Sequence, residues 1–178
     1  MGTRGGGTTP QRPARTRRKK TSHPSGIATM VGNALGWADA HVDLDRAVAD
    51  FAVELRGQRP PGMPHSPWEI VEHIRIAQHD ILDFCRNPSY AELKWPDDYW
   101  PASSAPPSAA AWDASIAAFH RDLKALQGLA TDPHVDLAAT IAHGSGQTYL
   151  RELLLVIDHN AYHVGEIVAI RRMLAAWP

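Results

Sequence analysis

The chain has 178 residues, 44% of them hydrophobic and 21% charged, a length and balance that suit one globular domain with a buried core. Cys85 is the only cysteine, which excludes an intrachain disulfide and fits a reducing compartment, so a cytoplasmic location is expected. The net charge of −1 conceals an asymmetry: seven of the 18 basic residues fall within positions 1–26, where there is no acidic residue, and the rest of the chain carries 11 basic against 19 acidic residues, a net of −8. An acidic body of this kind is not expected to bind nucleic acid. Without a run of 18 apolar residues or the apolar stretch of a secretory signal, no membrane association is expected either.

Residues 1–29, rich in Gly, Thr, Pro and Arg, show no hydrophobic period and are expected to form a disordered basic tail, with the folded domain occupying residues 30–178. The basic cluster at 15–20 admits contact with nucleic acid or a membrane surface. The simpler readings, a solvated tail or an upstream extension of a frame that starts at Met30, are favoured.

Four helices are expected after it. The first covers about residues 35–56, with Leu44, Val48, Phe51 and Leu55 on one stripe. Pro60, Pro61 and Pro64 then interrupt the chain. The second helix has a strong start signal, with Ser66 as N-cap, Pro67 at the first helical position and Glu69 completing the S-x-x-E box. Its apolar positions Ile70, Ile74, Ala77, Ile81 and Phe84 repeat at three and four residues before Asn87 and Pro88 stop it. Residues 88–107 make a long ordered connection whose Trp95, Tyr99 and Trp100 predict a flap packed over an apolar surface. Ser108 caps a third helix with Trp112, Ile116, Phe119, Leu123 and Leu126 on one side, ended by the stretch from Gly128 to Pro133. The turn His143-Gly-Ser-Gly-Gln-Thr148 delivers Thr148 as cap of a last helix from 149 to about 176. Only residues 135–141 hint at a strand, so the fold class is all-α.

Two histidines of the last helix, His159 and His163, are four residues apart and project from one face one turn apart, with Leu155, Val156, Ile170, Met173 and Leu174. His73 lies on the core edge of the second helix, whereas His79 points to solvent. An i, i+4 pair with a third imidazole from a facing helix makes a tripod for Zn²⁺, Ni²⁺ or Fe²⁺ and leaves a position open for water or substrate. The competing reading has the imidazoles donate to backbone carbonyls at a helix contact. Cys85 is expected to be a packed thiol.

The stretches His65-Ser-Pro-Trp-Glu-Ile-Val-Glu-His73 and Asp158-His-Asn-Ala-Tyr-His-Val-Gly-Glu-Ile167 resemble the DinB/YfiT-like family of metalloenzymes, over about residues 34–176. Trp95-Pro96, Tyr99-Trp100-Pro101 and the turn before Thr148 belong to the same likeness. It implies a DinB-like four-helix bundle and a divalent metal ion (Zn, Ni, Fe or Mn) on His73, His159 and His163. It also implies, in many members, a homodimer. Relatives include S-transferases and an isomerase that use low-molecular-weight thiols such as bacillithiol or mycothiol. Glu166 stands where relatives often carry Gln. It is open to three roles: a hydrogen bond to a ligand imidazole or bound water, a fourth ligand, or an exposed carboxylate pairing with Arg171. His143 either reaches the metal site or, the favoured role, braces its turn.

Two functions fit these features. One is a divalent-metal-dependent enzyme, an S-transferase joining a low-molecular-weight thiol to a small electrophile. The other is a non-catalytic metal- or small-ligand-binding module of a stress response. A second apolar stripe on the last helix, Leu150, Leu154, Ile157, Ala161, Val164 and Val168, gives a separate ground for expecting a homodimer.

Overall fold

The computed structural model describes residues 1–2 and 24–177. The basic cluster at 15–20 and most of the expected tail lie outside them. Five helices are present among the described residues: α1 (Gly26–Ala34), α2 (Leu44–Val48), α3 (Pro67–Arg86), α4 (Ala109–Thr131) and α5 (Tyr149–Met173). They form an all-α bundle in which α3 packs against both α4 and α5, α1 lies on α4, and α2 on α5. The one β-type pairing among the described residues is an isolated bridge between Thr140 and Thr148, at the edge of the stretch that hinted at a strand.

The three long helices start where their caps predict. Ser66 Oγ accepts from the Glu69 amide at 3.2 Å while Glu69 Oε2 accepts from the Ser66 amide at 2.8 Å, so two orphan donors are satisfied reciprocally. The Ser108 and Thr148 hydroxyl oxygens cap α4 and α5 by accepting from the Ala111 and Arg151 amides at 3.1 and 3.2 Å. The turn feeding Thr148 needs its glycines. Gly146 has φ +111°, and a Cβ on Gly144 would come within 2.9 Å of the Phe84 ring.

The first predicted helix is corrected. Instead of one helix over 35–56, α1 ends at Ala34, a loop follows, and α2 occupies one turn and a half before a 3-10 turn at Val53–Leu55. Asp43 caps α2 through its side chain (2.8 Å to the Arg46 amide), extended backbone at Ala49 ends it, and Asp50 adopts a left-handed conformation. The stripe itself was informative, since Leu44, Val48 and Phe51 are all buried, but an irregular segment buries them as well as a helix would. In turn, α1 begins at Gly26 under a Ser25 cap, inside the stretch assigned to the tail. Helix α4 ends at Thr131, within the stretch from Gly128 to Pro133.

Two apolar clusters stack along the bundle. One joins Leu35, Leu82, Leu126, Ile141 and Leu153; the other joins Phe51, Trp68, Ile74, Trp112, Phe119 and Ile167. Helix α5 borders both and, with a mean hydropathy of 1.2 over 18 residues, has the length and apolarity of a membrane-crossing helix. Its buried apolar residues Leu153, Val156, Val164, Ile167 and Ile170 pack into these two clusters, while Leu154 and Tyr162 are exposed and 33% of that window is buried. Of its second stripe Val164 is buried, Leu150, Ile157, Ala161 and Val168 are half-buried, and Leu154 is exposed. Ile157, Ala161 and Val164 face a groove of about 210 Å³ shared with Leu35, Trp37 and Phe119, and Val168 packs on the second cluster. Met173, expected inside, is exposed.

Candidate metal centre

Helices α3 and α5 run antiparallel, and their registration brings His73 to His159 and His163 between the two apolar clusters. One ring nitrogen from each histidine lies within 4.8 Å of the others, close enough for a single ion. The Nε2 atoms of His73 and His159 are 3.0 Å apart. Two nitrogens each about 2.1 Å from a common ion would be separated by roughly 3.0–3.4 Å at near-octahedral to tetrahedral angles.

Hydrogen bonds fix which nitrogen is offered. The His73 Nδ1–H donates to the Tyr99 carbonyl at 2.9 Å, so Nε2 carries the lone pair. The His163 Nδ1–H donates to Glu166 Oε2 at 2.6 Å, with the same result for its Nε2. A backbone carbonyl thus holds His73, as the competing reading has it, and that bond turns its other nitrogen toward the two imidazoles of α5. Without a cation, His159 must donate its Nε2 proton to His73. With a divalent cation, all three rings present lone pairs, and the donor set fits the ion.

Electrostatics favour neutral ligands. Burial first, then the neighbouring imidazoles, push the His159 and His163 pKa values down to about 4. Burial lowers His73 as well, against the opposing pull of the Tyr99 carbonyl. Near neutral pH, protons therefore do not compete for these rings. Burial raises the Glu166 carboxyl above its ordinary value, while His65 and His73 act in the opposite sense.

The connection at 88–107 is the roof. Trp100 lies flat against His73 (ring centroids 4.0 Å apart, planes 3° from parallel), and His65 stacks on it at 3.8 Å. Asp80, two turns beyond His73 on α3, accepts the hydroxyl protons of Tyr90 at 2.9 Å and Tyr99 at 2.6 Å. The flap is thereby pinned by its aromatic residues, as expected, and Tyr99 both holds the flap and orients the His73 ring. A cleft of about 750 Å³ opens from the triad toward Trp95, Phe84 and Tyr90, within the size range of small-molecule sites. His143 lines its far end, but its Nε2–H donates to the Phe84 carbonyl at 2.8 Å, which is the bracing role. Glu152, 97% buried there, is paired with Arg151 at 2.6 Å.

Glu166 is neither exposed nor paired with Arg171, which instead binds the carbonyls of Ala47 and Ala176. Its Oε2 is engaged by the outer nitrogen of His163, the position of a carboxylate that orients a ligand imidazole. His79 is on the surface, bonded to Asp122 at 3.0 Å, and Cys85 is buried at the end of α3. The sequence reading missed Asp80, His65 and Glu152. For Asp80 a signal existed: seven residues from His73 means the same face of α3.

No curated protein and no solved structure matches the chain significantly. A family model described as the DinB superfamily does match, over residues 37–167, most of the described bundle including all three histidines, and the chain belongs to that superfamily.

Proposed function

We propose that the protein is a divalent-metal-dependent enzyme that transfers a low-molecular-weight thiol to a small electrophile, with His73, His159 and His163 as the metal ligands. One observation carries this reading. Glu166 is occupied by His163 Nδ1, so three imidazoles converge at the edge of an open cleft without a carboxylate among them. A three-nitrogen set with free positions is the arrangement of reactive rather than structural ions. A divalent ion held there supplies a Lewis acid that lowers the pKa of a thiol or water at neutral pH.

The chain's own groups serve binding and exclusion. Tyr99 and Glu166 keep two ligand rings in register, and the His65–Trp100–His73 stack closes the roof against water. Phe84, Tyr90 and Trp95 offer apolar contact to the electrophile, and Arg151 offers a cation to a polar end of the cosubstrate. Leu154 and Tyr162, 51% and 65% exposed on α5, are the residues on which a homodimer would rest; a monomer by light scattering at micromolar concentration would remove that part.

The test is metal content of purified protein beside His73→Ala and His159→Ala, followed by a screen of thiols and electrophiles. About one Zn, Ni, Fe or Mn per chain, lost in both variants, together with thiol-dependent turnover lost in folded His159→Ala, is the expected result. Free Zn²⁺ at a hundred times its Kd should stabilise the wild type by about 2.7 kcal/mol. Tight metal binding with no turnover for any thiol would favour the non-catalytic module instead.

A further inference from the structure

Two of the three ligand histidines have a fixed acceptor for the Nδ1 proton, the Tyr99 carbonyl for His73 and the Glu166 carboxylate for His163. His159 has no such bond among the described residues. Next to it on α5, Asn160 Oδ1 is buried and accepts no hydrogen bond among the described residues. A buried oxygen left without a donor is destabilising, so it calls for a partner.

The orientation of that amide is determined by its surroundings. Gln78, fully buried on α3, donates its Nε2–H to the Phe119 carbonyl of α4 at 2.8 Å, so its Oε1 must face the other way. Asn160 meets that oxygen with Nδ2 at 2.9 Å, which turns its own Oδ1 away from Gln78. A flipped amide would set oxygen against oxygen. The chain of bonds from α4 through α3 to α5 therefore presents a naked carbonyl oxygen in the residue beside His159.

Resting on the reading of the triad as a metal site, we infer that Asn160 is the positioning residue of His159. Its Oδ1 receives the His159 Nδ1 proton when Nε2 is turned to the ion, so that each ligand histidine has its own outer acceptor: a carbonyl, a carboxylate and an amide. Gln78 sets the angle of that acceptor from the core, through a backbone carbonyl of α4.

The experiment measures Zn²⁺ affinity, by competition with a chromophoric chelator, for wild type, Asn160→Leu and Asn160→Asp. It is read beside the ¹⁵N-resolved imidazole signals of the zinc-loaded wild type. Asn160→Leu should bind about 10–100-fold more weakly, the usual range for loss of an outer partner, and Asn160→Asp, which keeps an acceptor oxygen, should remain within about threefold of wild type. In the wild type, the His159 Nδ1 proton should be protected from solvent and close to the Asn160 amide. Unchanged affinity in Asn160→Leu overturns the inference, as does equal weakening in both variants, which would assign Asn160 to packing alone. A freely exchanging His159 Nδ1 proton with no contact to Asn160 overturns it even if neither variant folds. A wild type that takes up no Zn²⁺ fails earlier, at the metal site itself, and is distinguishable from all of these.

Discussion

The two sides of α5 are held by different forces. The side bearing His159 and His163 is ordered by directional bonds: His163 to Glu166, Asp80 to two flap tyrosines, and Trp100 between two imidazoles. The side bearing Ile157, Ala161 and Val164 presents apolar surface to Leu35, Trp37 and Phe119 across a groove of about 210 Å³, at whose rim His120 bonds Asp45 at 2.7 Å. Apolar burial supplies stability without specifying geometry, whereas hydrogen bonds to a few fixed partners specify geometry at modest net gain. The bundle thus separates what keeps it folded from what aims its ligands.

The largest expected effect lies on the apolar side. Phe119→Ala keeps the backbone carbonyl that Gln78 uses but removes a buried ring, and should destabilise the protein by about 3–5 kcal/mol in urea titrations. Zinc uptake per folded chain should be unaltered; a parallel fall in affinity would mean that the two sides are not separable. On the site side, Asp80→Ala leaves the Tyr90 and Tyr99 hydroxyls without their acceptor. Loss of about 1.4 kcal/mol of local stability should speed amide exchange across residues 88–107 roughly tenfold, with little change in α4. No change in exchange would show that ring stacking alone holds the flap. The smallest effect is expected at Cys85, whose thiol is pushed up to about 12, chiefly by burial and then by Glu152. In the native protein at pH 8 it should resist iodoacetamide and react only on unfolding; fast native alkylation would reveal local opening beside Leu153 and the far end of the cleft.

Legibility in the sequence followed the same division. The starts of α3, α4 and α5 could be read because Ser66, Ser108 and Thr148 act within their own first turns. The 35–56 segment was misread because its spacing shows that Leu44, Val48 and Phe51 are buried, not that one continuous helix buries them. Asp43 and the left-handed Asp50 decide that locally, against the apolar period. Of the second stripe of α5, the chain itself buries Val164 and forms a groove beside Ile157 and Ala161, while Leu154 stays exposed.

By itself the sequence determined the helical class, the pairing of His159 with His163 on one face and the place of His73 on a facing helix, since helical spacing acts over one or two turns. Only the tertiary structure decided that Glu166 bonds His163, that Asp80 pins the flap, and which nitrogen His73 and His163 turn toward the cluster. The reason is physical: a tautomer is set by the acceptor its ring meets, and for His73 that acceptor stands 26 residues away, on a flap whose path no local propensity encodes.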